Sequence, residues 1–183
     1  MAKKNNINAH RRPMTKIEKE AYDTMMEELR NKVHGNDHNH WLLSDHSLSE
    51  VIRRAIAGVS LQRISHKESY QGWIDECKEE GEWWWLTVGP LVYKRVYLRA
   101  EELLKDRLDE IDNAQWYMVN FKSSDEGDNQ VNYFNADSIE EARNDVRSIW
   151  LWGNKLTSMF KATWDNVNRE FLKGQRVSLA GIM

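Results

Sequence analysis

At 183 residues, with 40% hydrophobic and 30% charged side chains, the chain is long enough for one sizeable core or for a domain plus a smaller second one. A mean hydropathy of −0.77 and the lack of any apolar run of about 18 residues exclude a transmembrane helix. The net charge of −3 hides basic stretches that argue against a uniformly acidic mimic of nucleic acid.

Residues 1–14 carry Lys3, Lys4, Arg11 and Arg12 in a polar context with no apolar segment behind them, so they read as a mobile basic arm and not as a secretory signal. Thr15-Lys-Ile-Glu18 is a capping-box pattern, and the helix it opens places Ile17, Ala21, Met25 and Leu29 along one side until about His34-Gly35. The single Cys77 excludes an internal disulfide and fits a reducing cytoplasm. We read it as a buried thiol beside Trp73 and Ile74.

The loop that follows holds His34, His38, His40 and His46 with Asp37 and Asp45. Imidazoles and carboxylates this dense can bind a transition metal, and His38-Asn39-His40 spells the name of a nuclease family. No second ligand cluster accompanies them, so the expectation is a polar loop with no metal.

Residues 46–111 organise the rest. Ser47-Leu-Ser-Glu50 reads as a second capping box, opening a helix with Leu48, Val51, Ile52, Ala55 and Ile56 on one face. Gly58 reads as the left-handed residue ending that helix, and Ser60 as the cap of a short second helix with Leu61 and Ile64. A third segment puts Tyr70, Trp73, Ile74 and Cys77 on its inner side. Helix, tight turn and short helix have the order of a helix-turn-helix. On this reading Arg53, Arg54, Arg63 and Lys67 neutralise phosphates, while Ser65, His66, Ser69 and Gln71 reach base edges. Asp75, Glu76, Glu79 and Glu80 would repel a duplex lying along the whole third helix, so only its N-terminal end can enter a groove.

Three consecutive indoles, Trp83, Trp84 and Trp85, cannot all face one core, because successive helical residues point about 100° apart. They read as a protein interface; base stacking is the alternative, opposed by Glu80 and Glu82. From Val92 to Ile111 one long helix repeats apolar residues at Val96, Ala100, Leu104 and Leu108, a stripe suited to a core or to a second copy of the chain.

At Trp116 the apolar period falls from 3.6 residues to two. Residues 116–121 and 131–136 read as a hairpin, Asp137-Ser138-Ile-Glu-Glu141 opens a helix through Ala142, Val146, Ile149 and Trp150, and 156–164 reads as a third strand. The tail after Val167 shows no clear period. The expected fold is therefore α+β: an arm (1–14), a helical domain with a helix-turn-helix-like core (15–113) and a small ββαβ module (114–183).

The run IRRAIAGVSLQRI, then YQGWI, then VYLRAEELLKDRLDEI resembles the small terminase subunit of tailed bacteriophages over about a third of the chain, through Ile56-Ala57-Gly58, Ser60-Leu61, Trp73 and Tyr97-Leu-Arg-Ala100-Glu101. That resemblance implies a non-catalytic DNA-packaging adaptor. It would bind double-stranded viral DNA, assemble as a homo-oligomer and hand the DNA to a large ATPase–nuclease subunit. No phosphate loop, carboxylate pair or nucleophile–base motif points to an enzyme, and no cofactor is expected. The alternative is a small phage or host-directed inhibitor or adaptor acting by protein–protein binding.

Overall fold

The computed structural model describes residues 12–33, 45–81 and 89–182. The chain is α+β and divides into two compact units: Ile17–Ile111, and Asp112–Met183 together with the N-terminal segment as far as Lys16. Among the described residues no helix is long and apolar enough to cross a membrane.

The first unit is helical: α1 (Lys16–Val33), α2 (Asp45–Ala57), α3 (His66–Glu80), α4 (Pro90–Leu104) and the short α5 (Leu108–Asp112). Its core is built from the stripes that periodicity selects, with Met25, Val51, Ile52, Ala55, Trp73, Val96, Ala100 and Leu104 all buried. The apolar stripe of α4 is buried at Val96, Ala100 and Leu104, and its exposed large residues are Leu91 and Leu98.

Three expectations for this unit need correcting. Helix α2 begins at Asp45, so Ser47 lies inside it and is not its cap. Gly58 is not the left-handed residue, and Ser60 caps nothing. Instead α2 runs on into a π-helical turn, Gly58–Gln62, and the left-handed residue is Arg63 at φ 52°. Glycine is required at 58 for closeness, since a Cβ there would stand 2.8 Å from Tyr97 Cε2 and 2.9 Å from Ser69 Oγ. The buried Ser60 hydroxyl lies 2.5 Å from Glu18 Oε1 and 2.8 Å from the Ile56 carbonyl oxygen, so its proton holds the widened turn against α1. Lastly, the long helix is broken by a 3₁₀ turn at Lys105–Arg107, where Arg107 reaches Glu110 and Glu20.

The second unit is a four-stranded antiparallel sheet of order β2-β1-β3-β4, from β1 (Trp116–Lys122), β2 (Asn129–Asn135), β3 (Lys155–Asp165) and β4 (Glu170–Val177), with α6 (Ile139–Leu151) between β2 and β3. Ser138 caps α6 by accepting from the Glu141 N–H at 3.1 Å, and Glu141 reaches back to accept from the Asp137 N–H at 2.8 Å. Tyr117, Val119 and Met159 face α6, packing on its Ala142, Val146 and Ile149. Trp150 is exposed, not inward as the periodicity suggested.

The module is ββαββ, one strand more than expected. In β4 the register slips opposite Phe160/Ala162, so its alternation is interrupted and the period-two signal is lost. Val177 is nevertheless buried on the α6 face, while Phe171 and Lys173 share the other face with Trp164 and Ala162.

The expected mobile arm does not extend to Arg12. Arg12 is only 5% exposed, its guanidinium lying 5.1 Å from the Trp116 ring centroid and 5.5 Å from that of Trp164. Lys16 donates its N–H to Asn135 Oδ1 and pairs with Asp137 and Glu141. Residues 12–16 therefore belong to the sheet unit.

Candidate nucleic-acid interface

The turn between α2 and α3 is held at both ends. Ser65 is the N-cap of α3: its Oγ accepts from the Glu68 N–H at 3.3 Å, and Glu68 Oε2 accepts from the Ser65 N–H at 2.9 Å. The Ser65 N–H, and after it the Ser65 hydroxyl donating to Glu68 Oε2 at 2.9 Å, hold the Glu68 carboxyl below its ordinary value. One residue earlier, the Tyr97 hydroxyl donates to the Ile64 carbonyl. Burial pushes the Tyr97 phenol up to about 12, so it remains a donor throughout the neutral range.

Ser69 is turned inward. It is 7% exposed and bonds to the Tyr93 hydroxyl at 2.5 Å, in an aromatic wall formed by Tyr70, Trp73, Tyr93 and Tyr97. It cannot reach a base edge, and Ser65 is committed to its cap. Arg54 is likewise structural: it is half-buried and pairs with Glu76 at 2.7 Å, bracing α2 against α3. His66 is half-buried, its ring 6.2 Å from that of Tyr97.

The remaining expected residues reach the surface. Arg53 is exposed and lies over the Tyr22 ring at 5.4 Å. Arg63 projects from the left-handed turn, Lys67 from the first turn of α3, and Gln71 one turn later, where its Nε2 donates to Asp75 Oδ1 at 2.8 Å. All three are exposed. Charge reverses along α3, since Asp75, Glu79 and Glu80 are exposed at its far end. The arrangement presents a hydrogen-bonding tip, where Arg63 and Lys67 outnumber the Glu68 carboxylate that caps Ser65, and a negative tail, suited to end-on approach to a phosphate backbone.

The Tyr93–Tyr97 clamp escapes sequence reading, although the two tyrosines stand four apart on α4. Helical spacing marks them as neighbours, but only packing shows that they grip α3 and its turn. Trp83, Trp84, Trp85, His34, His38 and His40 lie outside the described residues, as does the side chain of His46. Among the described residues no group of three or more His, Cys, Asp or Glu is placed to hold a metal ion. Cys77 is a buried thiol on the inner face of α3. Comparison of the chain with protein-family models, curated proteins and solved structures yields no match.

Proposed function

We propose that the helical unit binds duplex DNA through the N-terminal tip of α3, as a non-catalytic adaptor of the kind that the resemblance to small terminase subunits implies. The observation that supports this reading is the exposed set Arg63, Lys67 and Gln71 on a turn made rigid by the Ser65–Glu68 cap and the Tyr97–Ile64 hydrogen bond. In helix-turn-helix proteins the N-terminal residues of the second helix meet base edges while flanking cations grip phosphates. Here Arg53, Arg63 and Lys67 take phosphates and Gln71 takes a base edge, Asp75 orienting its amide. By the same resemblance, the partners are further copies of the chain and a large ATPase–nuclease subunit in the host cytoplasm.

Fluorescence anisotropy with a labelled duplex across a salt series tests the reading. The slope of log K against log salt should fall by about one unit for each of Arg53, Arg63 and Lys67 changed to Ala, because each neutralised phosphate releases a counterion. Gln71→Ala should change sequence preference and leave the slope alone. A triple Ala variant that binds as the parent does at every salt concentration defeats the proposal.

A protein-binding adaptor is the second reading. It is favoured by Trp150, Leu151 and Trp152, three consecutive large apolar side chains exposed at the end of α6, Trp152 by 81%. Light scattering that shows a DNA-indifferent protein would favour it.

A further inference from the structure

We infer that the sheet unit carries a second, separate binding surface, on the face of the sheet opposite α6, that takes single-stranded nucleic acid. The registers place Trp116, Met118, Asn120 and Lys122 of β1 on this face. Alongside them stand Val131 and Tyr133 of β2, then Lys155, Ser158 and Phe160 of β3, then Lys173 and Arg176 of β4. Four cations therefore share the face, and the strand residues pointing the same way include no carboxylate. All four are exposed, and none pairs with a carboxylate among the described residues.

Two features make the face more than a solvated surface. Lys122 and Lys155 stand directly opposite each other in the β1–β3 ladder. Like charges in that position destabilise a sheet, and an anion between them removes the cost. The second feature is curvature. Tyr133 and Phe171 sit on strands three places apart, which on a flat sheet is ~14 Å. Their rings nevertheless stack at 4.0 Å between centroids and 12° between planes. The face is therefore concave.

One end of the hollow is closed by the stack and by Arg12 between Trp116 and Trp164. Toward the other end it opens on half-buried Phe160, with Met118 opposite it and, in the next row, Val131 opposite Asn120, whose Nδ2 donates to Ser158 Oγ at 2.9 Å. The Lys173 ammonium already lies 3.7 Å from the Phe160 ring centroid.

Once the exposed Lys173 ammonium swings from the Phe160 ring to a phosphate, the freed π face, with Arg176 next to it, side-chain amides beyond and a lysine pair at the far rim, is complementary to an unstacked base and the phosphates on either side of it. A duplex hides its base faces and cannot use the ring. A peptide of Asp and Glu could pair with the cations but has no aromatic ring to stack on Phe160. This surface lies on residues 112–183 and does not depend on the tip of α3, so either assignment can fail without the other.

The experiment uses the full chain and a fluorescein-labelled oligothymidylate of about twelve nucleotides. The parent should bind it at low salt. Phe160→Leu, which keeps apolar volume but removes the π face, should weaken binding about tenfold. The exposed quadruple variant Lys122→Gln, Lys155→Gln, Lys173→Gln and Arg176→Gln should weaken it at least a hundredfold and lower the salt slope by about three, at roughly 0.7 per single-strand phosphate. Arg63→Ala with Lys67→Ala should leave oligothymidylate binding intact.

The inference is overturned if the parent does not bind, if the quadruple variant binds as tightly as the parent, or if polyglutamate displaces the oligonucleotide as well as unlabelled oligothymidylate does. Should Phe160→Leu melt far below the parent, the quadruple variant decides alone, its four sites being exposed.

Discussion

Gly58 and Ser69 illustrate how one contact reassigns two residues. Each is a neighbour of the other and of the α4 tyrosines, so each is set by packing and not by its place in a turn or on a surface. Gly58→Ala forces Tyr97 or Ser69 to move, and overpacking of this kind costs about 1–3 kcal/mol. Urea unfolding should show that loss, with the m-value unchanged; an equal midpoint would mean the site has slack. Ser69→Ala removes the partner of a buried phenol whose pKa burial pushes up to about 12. It should lower stability by ~1–3 kcal/mol while leaving the sequence preference of the proposed DNA binding as it was. A changed preference with unchanged stability would restore Ser69 to the surface role that its helical position suggested.

At the scale of elements, Lys16 fastens the N-terminal segment to the start of α6. Its ammonium is raised above its ordinary 10.5, chiefly by the Asp137 carboxylate and then by Glu141. The Glu141 carboxyl is held below 4.5, first by Lys16 and then by the Asp137 N–H. A lowered acid stabilises the fold above its unfolded value and loses that effect as pH falls through the folded value. A raised base stabilises below its unfolded value and loses the effect as pH rises through the folded one. The stability difference between the parent and Lys16→Met should therefore be flat from about 4.5 to 10.5 and shrink at either side. Because the pair is solvent-exposed the plateau should stay below about 1 kcal/mol. Urea midpoints at acid, neutral and alkaline pH measure it, and a difference that persists in acid would sink the assignment.

Over the whole molecule, two cores fold from one chain, one of helices and one of a sheet closed by α6. Met159 is fully buried in the second, where Met→Ala replacements cost about 2–5 kcal/mol. Hydrogen exchange of Met159→Ala should quicken across β1, β3 and α6 and leave the amides of α2 and α4 near their parent rates. Equal acceleration in both units would show one cooperative core.

Local chemistry by itself determined the α+β class, the change of period at Trp116, the Ser138 cap and the inward stripes of α3 and α4. Each of those signals is carried by residues within a turn or two of one another. Tertiary structure decided the rest, because the deciding neighbours are remote in sequence. Tyr93 and Tyr97 convert Gly58 and Ser69 from turn and surface residues into core. The Trp116–Trp164 pair takes Arg12 out of the arm. β4 emerges only when β3 supplies the ladder that its interrupted alternation conceals. The cations of the open face were legible as letters, but nothing in their spacing gathers them. Register does so, since a period of two assigns a face only after the strands are paired.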